Sequence, residues 1–181
     1  GGLLDEVAVL QRPPAPPRHQ ARLARLLKRC KFEEAEKFAA SFNLEAEQVH
    51  RAKASFLLKY LSPWAAEDPA WPHSSVLEQV KTCLAKMTDT NYVVDFCVTA
   101  AVPSLVMTRD LITFARQKIG TAQEEVGEAL LLRVGNSLHR LETFSCLTGG
   151  QADSEVDQWL DFMRASMLET VRTFLSRGDL A

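Results

Sequence analysis

Residue types able to do chemistry are few in this chain and far apart. Four histidines stand at His19, His50, His73 and His139, and four cysteines at Cys30, Cys83, Cys97 and Cys146. A structural zinc site needs about four such ligands, usually grouped in short Cys-x-x-Cys or His-x-x-x-His steps. No Cys-x-x-Cys pair occurs. His139 and Cys146 lie seven positions apart, nearly two helical turns, so a helix puts them on one face. A lone pair of this kind is far more often packing or solvent-facing than a metal site. Cys83 and Cys97 fall on apolar helical stripes, where a free thiol behaves as a small hydrophobe. Four unpaired thiols in a reduced, intracellular compartment is the simplest expectation.

Carboxylates are more numerous but have a plain explanation. Glu33, Glu34 and Glu36 fall in the first turns of one predicted helix, and Glu124, Glu125 and Glu128 in those of another. Negative charge there offsets the positive end of the helix dipole. A catalytic carboxylate pair needs a shared cleft, and nothing in the pattern implies one. There is no glycine-rich phosphate loop, no His-Glu-x-x-His and no nucleophile elbow. The expectation is therefore no enzyme, with no catalytic, cofactor-binding or metal-ligating residue and no cofactor.

Two features suit partner binding instead. Pro13, Pro16 and Arg18 match a Pro-x-x-Pro-x-Arg pattern, which SH3 domains read because a polyproline II segment is already ordered and the Arg meets an acidic pocket. An ordinary linker is the plainer reading of the same residues. The stretch 62–73 holds Pro63-Trp64 and Trp71-Pro72. Its tryptophans could anchor a partner, or, as we expect, cover the gap between two helices in a loop tied down by its own side chains.

Composition frames these features. Hydrophobic residues make up 46% and charged residues 24%, the profile of a soluble globular chain. Basic and acidic residues nearly balance, 21 against 23, for a formal charge of −2, which gives no support to a general phosphate-binding surface. No apolar run approaches the roughly 18 residues that span a membrane, and nothing resembles a signal peptide.

The elements that must position these residues read as helices throughout. Residues 1–17 end in Pro13-Pro14-Ala15-Pro16-Pro17, an extended segment incompatible with helix interior. Beyond it, apolar periodicity predicts helices over 19–29, 32–42, 45–61, 75–87, 90–101, 108–119, 122–146 and 154–176. Ser75 with Glu78, Thr121 with Glu124 and Ser154 with Asp157 are spaced as capping boxes. Gly120, Gly149-Gly150 and Gly178 follow helical patterns as left-handed stops. Gly127 and Gly135 sit inside the seventh helix, where close crossing or a bend would offset their cost.

The second helix shows the underlying physics best. Phe32, Ala35, Phe38, Ala39 and Phe42 form one stripe at helical period, with small Ala between large Phe. Burying three Phe side chains does not offset the entropy of ordering so short a helix, so it needs neighbours. The eight helices pair as hairpins over 19–42, 45–87, 90–119 and 122–176. The fold class expected is all-α, an irregular α-solenoid of about four antiparallel hairpins over 18–181, with 1–17 as a Pro-rich lead. The unequal lengths exclude a strict short repeat. A single closed bundle fits the periodicity equally well. The Gly-Gly start and the Arg177-Gly178-Asp179-Leu180-Ala181 end suggest a piece of a longer protein.

Several blocks occur in the order found in one known family. Phe32-Glu33-Glu34-Ala35-Glu36-Lys37-Phe38-Ala39, with Phe42, Leu44, Glu47 and Val49, resembles the helical region of the Rod family of kinetochore scaffold subunits. The resemblance continues through Tyr92-Val93-Val94-Asp95-Phe96-Cys97 and Leu111, Phe114, Ala115 and Lys118, and returns at Trp159-Leu160-Asp161-Phe162 and Gly178-Asp179-Leu180. It covers most of 21–181, weakly between 122 and 152, and leaves 1–17 unmatched. It implies an internal solenoid stretch of a long scaffold that assembles with Zwilch and the Zw-ten subunit into an elongated dimer. It further implies recruitment of dynein–dynactin through Spindly, support of the spindle checkpoint, and a cytoplasmic location in interphase with kinetochore and spindle in mitosis. No nucleic acid or membrane is contacted directly on this reading. The alternatives are a related vesicle-tethering scaffold of the endoplasmic reticulum and a small helical enzyme or ligand-binding bundle.

Overall fold

The structure, a computed structural model, describes residues 16–120, 124–149, 156–164 and 172. Among these are eight α-helices and no β-strand: α1 (Pro17–Lys28), α2 (Phe32–Ser41), α3 (Glu47–Leu58), α4 (His73–Ala85), α5 (Thr90–Thr99), α6 (Leu105–Ile119), α7 (Glu124–Leu147) and α8 (Val156–Arg164). A single 3-10 turn, Lys59–Leu61, prolongs α3. The chain divides into two compact units, Gly1–Val49 and His50–Ala181.

In the first unit α2 packs on α1. The helix begins earlier than the proline run suggests: Pro17 is its first residue, and Pro16, at φ −52° and ψ 137°, has the extended form. The reason is local, since the first helical position needs no N–H and a fixed φ suits it. Both helices stop without glycine. Cys30 and Asn43 each adopt φ 56°. Cys30 N–H donates to Leu27 O and Lys31 N–H to Leu26 O, both at 3.0 Å; Asn43 N–H reaches Ala40 O at 3.4 Å and Leu44 N–H reaches Ala39 O at 2.8 Å. These are paired Schellman closures, built on residues that tolerate the left-handed region less well than glycine. The core is small: Leu23, Ala35, Phe38, Ala39, Leu44 and Val49. The expected stripe is thus buried in its middle, while Phe42 at its end is 43% exposed.

The second unit holds a larger core. Buried side chains from Ala54 to Val134 form one cluster across α3 to α7. A second cluster joins Leu105, Leu141, Phe144, Val156, Trp159 and Leu160. Helix α6 packs on α4, α5 and α7, α5 also packs on α7, and α8 packs on α7. The contacts in this series run between sequential helices, with α4–α6 and α5–α7 as next-but-one pairs, the packing of a solenoid rather than of one closed bundle. The fold is all-α, an irregular α-solenoid.

Helix starts differ from the capping boxes read in the sequence. At α4 the N-cap position is Pro72, with no side-chain cap. Glu67, from the preceding loop, accepts the His73 N–H at 2.9 Å instead of Ser75 and Glu78 forming a box. Helix α4 therefore begins two residues earlier than expected. Asp89 caps α5 by accepting from Tyr92 N–H at 3.0 Å. Ser104 caps α6 by accepting from Met107 N–H at 3.2 Å, which starts that helix at Leu105 rather than 108. Thr121 and Ser154, the other two expected caps, lie outside the described residues. Gly149 has the left-handed φ of 70° expected of a stop. Gly120 does not; its φ of −59° is right-handed, so it closes α6 as any residue could. Gly150 and Gly178 lie outside the described residues.

Candidate interaction surfaces

The residues that the sequence offered for chemistry do not converge. Among the described residues no three His, Cys, Asp or Glu side chains come together as a metal cage. Cys30, Cys83, Cys97 and Cys146 are all free thiols; Cys83 and Cys97 are buried, Cys30 and Cys146 exposed. Burial pushes the Cys97 thiol up to about 12, because a thiolate there would lose its water. His139 lines a shallow cavity of about 370 Å³ with Arg133, Asn136, Arg140 and Met163, and Cys146 is not among its walls. Of the SH3-type motif, Pro13 lies outside the described residues, and Arg18 is helical in α1 rather than extended beside Pro16.

The aromatic loop is partly as expected. Asp68 accepts from Ala70 N–H at 2.9 Å, its carbonyl accepts from Trp71 N–H at 2.8 Å, and Glu67 ties the loop to α4. The loop is therefore fastened by its own polar groups. Trp71 lies over Tyr60 with ring centroids 5.9 Å apart, and Tyr60 meets Phe56 edge-on at 5.4 Å. Trp64 departs from the covering role: it is 67% exposed, and its indole N–H donates to Asp157 at 3.1 Å.

Charged side chains clasp the helices of the second unit. Arg51 pairs with Asp89 at 2.7 Å and lies 4.3 Å over the Tyr92 ring, so one residue caps α5 and anchors α3 to it. Lys81 bridges Glu78 at 2.6 Å and Asp110 at 3.0 Å, joining α4 to α6. Burial pulls the Lys81 ammonium down, but the hydrogen bonds and charges of its two carboxylate partners outweigh it and raise its pKa. Arg133 reaches Asp95 at 2.6 Å between α7 and α5. Lys118 donates at 2.8 Å to the Ala85 carbonyl, at the end of α4 where cations are favoured.

One cluster escaped the reading from composition. Between Glu6 and Glu33 the chain carries seven of its 21 Lys and Arg residues and no acidic residue. The whole-chain charge of −2 concealed this run. The local signal was a count by window rather than by chain. Helix α1 arranges part of it around a cavity of about 440 Å³, lined by Arg22, Arg25, Leu26, Arg29, Lys31 and Glu34. Lys31 is paired with Glu34 at 3.1 Å, and the Arg22 guanidinium sits 5.0 Å over the Phe38 ring.

Comparison with known proteins agrees with this all-helical arrangement of stacked pairs. A family model described as the KNTC1 first ARM-repeats domain matches residues 25–181. The chain belongs to this family. It is 28% identical over 167 residues to Kinetochore-associated protein 1 of Mus musculus, and 29% identical over 168 residues to Kinetochore-associated protein 1 of Homo sapiens. Each match covers 88% of this chain and 7% of the relative's length. An ARM-repeat array is a helical solenoid, in which stability comes from faces shared between successive repeats.

Proposed function

We propose that this chain is a non-enzymatic scaffold segment of a kinetochore complex. The observation that carries the reading is the family match, which runs across residues 25–181 without restriction to a motif. Kinetochore-associated protein 1 supplies the location by its name. The packing is consistent with a mechanical role. The helices of the second unit are held by two apolar clusters and by ion pairs that cross between elements. Such an element holds binding surfaces at set distances; it does not enclose a substrate.

The finer reading follows from the family resemblance. The protein containing this segment assembles with Zwilch and the Zw-ten subunit, as a homodimer of the full complex. It recruits dynein–dynactin through Spindly and supports the spindle checkpoint, moving from interphase cytoplasm to kinetochore and spindle in mitosis. Affinity purification of the complete protein from mitotic cells tests this. Recovery of Zwilch and Spindly is the expected result. Recovery of membrane-fusion SNARE proteins in their place would overturn it.

A further inference from the structure

Of the basic residues around the α1 cavity, Arg22 lies over the Phe38 ring and Lys31 pairs with Glu34, but the packing of the first unit does not use Arg25 or Arg29 in any ion pair among the described residues. Arg22, Arg25 and Arg29 are exposed, and among the described residues no carboxylate pairs with any of them. The one acidic residue on the rim, Glu34, is already engaged by Lys31. Three exposed guanidinium groups around one cavity make it a positive patch, which favours an anion. The helix dipole accounts for Arg25 and Lys28, which lie in the last turn of α1. The same holds for Arg29 at the C-cap; it does not account for Arg22, nearly two turns from that end, nor for Lys31, which follows the helix and lines the same cavity.

We propose that Arg22, Arg25 and Arg29, with Lys31, form a docking site for an acidic segment of a partner protein. The planar guanidinium fork donates paired hydrogen bonds to carboxylate or phosphate oxygens, which suits discrete acidic side chains. Leu26 gives the cavity an apolar floor for the stem of such a side chain. Glu34 on the rim and the excess of acid elsewhere in the chain disfavour a continuous polyanion, whose evenly spaced phosphates would run across the negative edge. The stacking of Arg22 on Phe38 holds one fork in place before any ligand arrives.

Fluorescence anisotropy with the 181-residue chain tests the site. The probes are a labelled peptide of alternating glutamate and serine, the same peptide with one phosphoserine, and a counterpart with glutamine in place of glutamate. Binding of either acidic peptide, with none by the glutamine peptide, is expected. R25A/R29A weakens that binding about a hundredfold, and R25K/R29K about tenfold because charge remains while the fork is lost. R109A/R116A, two exposed arginines of α6, leaves it unchanged. Equal binding of the glutamine peptide, or undiminished binding by R25A/R29A, overturns the proposal. So does tighter binding of duplex DNA or of phosphatidylserine vesicles than of both acidic peptides. Should R25A/R29A lose its helical circular dichroism, R25K/R29K decides alone.

Discussion

The first unit and the second solve one problem on different scales. Both must bury short amphipathic helices that cannot stand alone, yet among the described residues the first does so with six buried side chains around α1 and α2, and the second with a cluster that runs from Ala54 to Val134. The first compensates at its surface: Phe42 stacks on His19 at 4.1 Å and on Phe38 at 4.6 Å, and Arg22 covers the Phe38 ring. The second relies on shared faces, and its charged side chains act as clasps between helices already packed. Core size decides how much of a unit's stability depends on any one contact.

That contrast can be broken by mutation. All three tryptophans, Trp64, Trp71 and Trp159, lie in the second unit, so tryptophan fluorescence reports that unit while far-ultraviolet circular dichroism reports both. The largest effect is expected for Leu111→Ala. Leu111 is fully buried in the main cluster, and its truncation should cost about 4 kcal/mol, moving the fluorescence midpoint in denaturant. Phe38→Ala should cost about 3 kcal/mol, because the ring is 9% exposed and its loss also frees Phe42, His19 and Arg22. Its effect should appear in circular dichroism and leave the fluorescence midpoint in place. An unchanged circular-dichroism midpoint would show that the stripe is not buried, and a matching shift in both probes would erase the distinction between the units.

Smaller changes sharpen the same comparison. Asp89→Ala removes the α5 cap and the partner of Arg51, and should cost about 1–2 kcal/mol in the second unit, read as a lower fluorescence midpoint. No loss would mean that neither the cap nor the pair with Arg51 carries stability there, and that apolar packing holds α3 and α5 in place. Gly135→Ala should stabilise by about 0.5–1 kcal/mol, since a Cβ there meets nothing within 4 Å and the helix interior favours Ala. A destabilised variant would restore the idea that this glycine serves a bend. At Gly127 the added Cβ would meet Ile119 at 3.8 Å, an ordinary contact, so neither glycine is required by a tight crossing.

Much of this architecture was legible in the chain because helical periodicity is a local property. The stripe of Ala35, Phe38 and Ala39 is buried where the spacing placed it, and Tyr92, Val93, Phe96 and Cys97 form a helix rather than a strand. Helix ends were less legible. Glu67 replaces the expected Ser75 cap from six residues before His73, and besides Gly149 two left-handed stops fall on Cys30 and Asn43, which carry no glycine signal. The basic cradle went unread for another reason: net charge averages over the chain, and opposite charges elsewhere cancelled it.

By itself, then, the order of residues determined a series of short amphipathic helices after the proline run, because side-chain spacing along a helix depends only on near neighbours. Tertiary structure alone decided which faces meet, where Trp64 stands in the open, and that Arg22, Arg25, Arg29 and Lys31 surround one cavity. Those outcomes depend on how helices pack and turn in space, which no local spacing encodes.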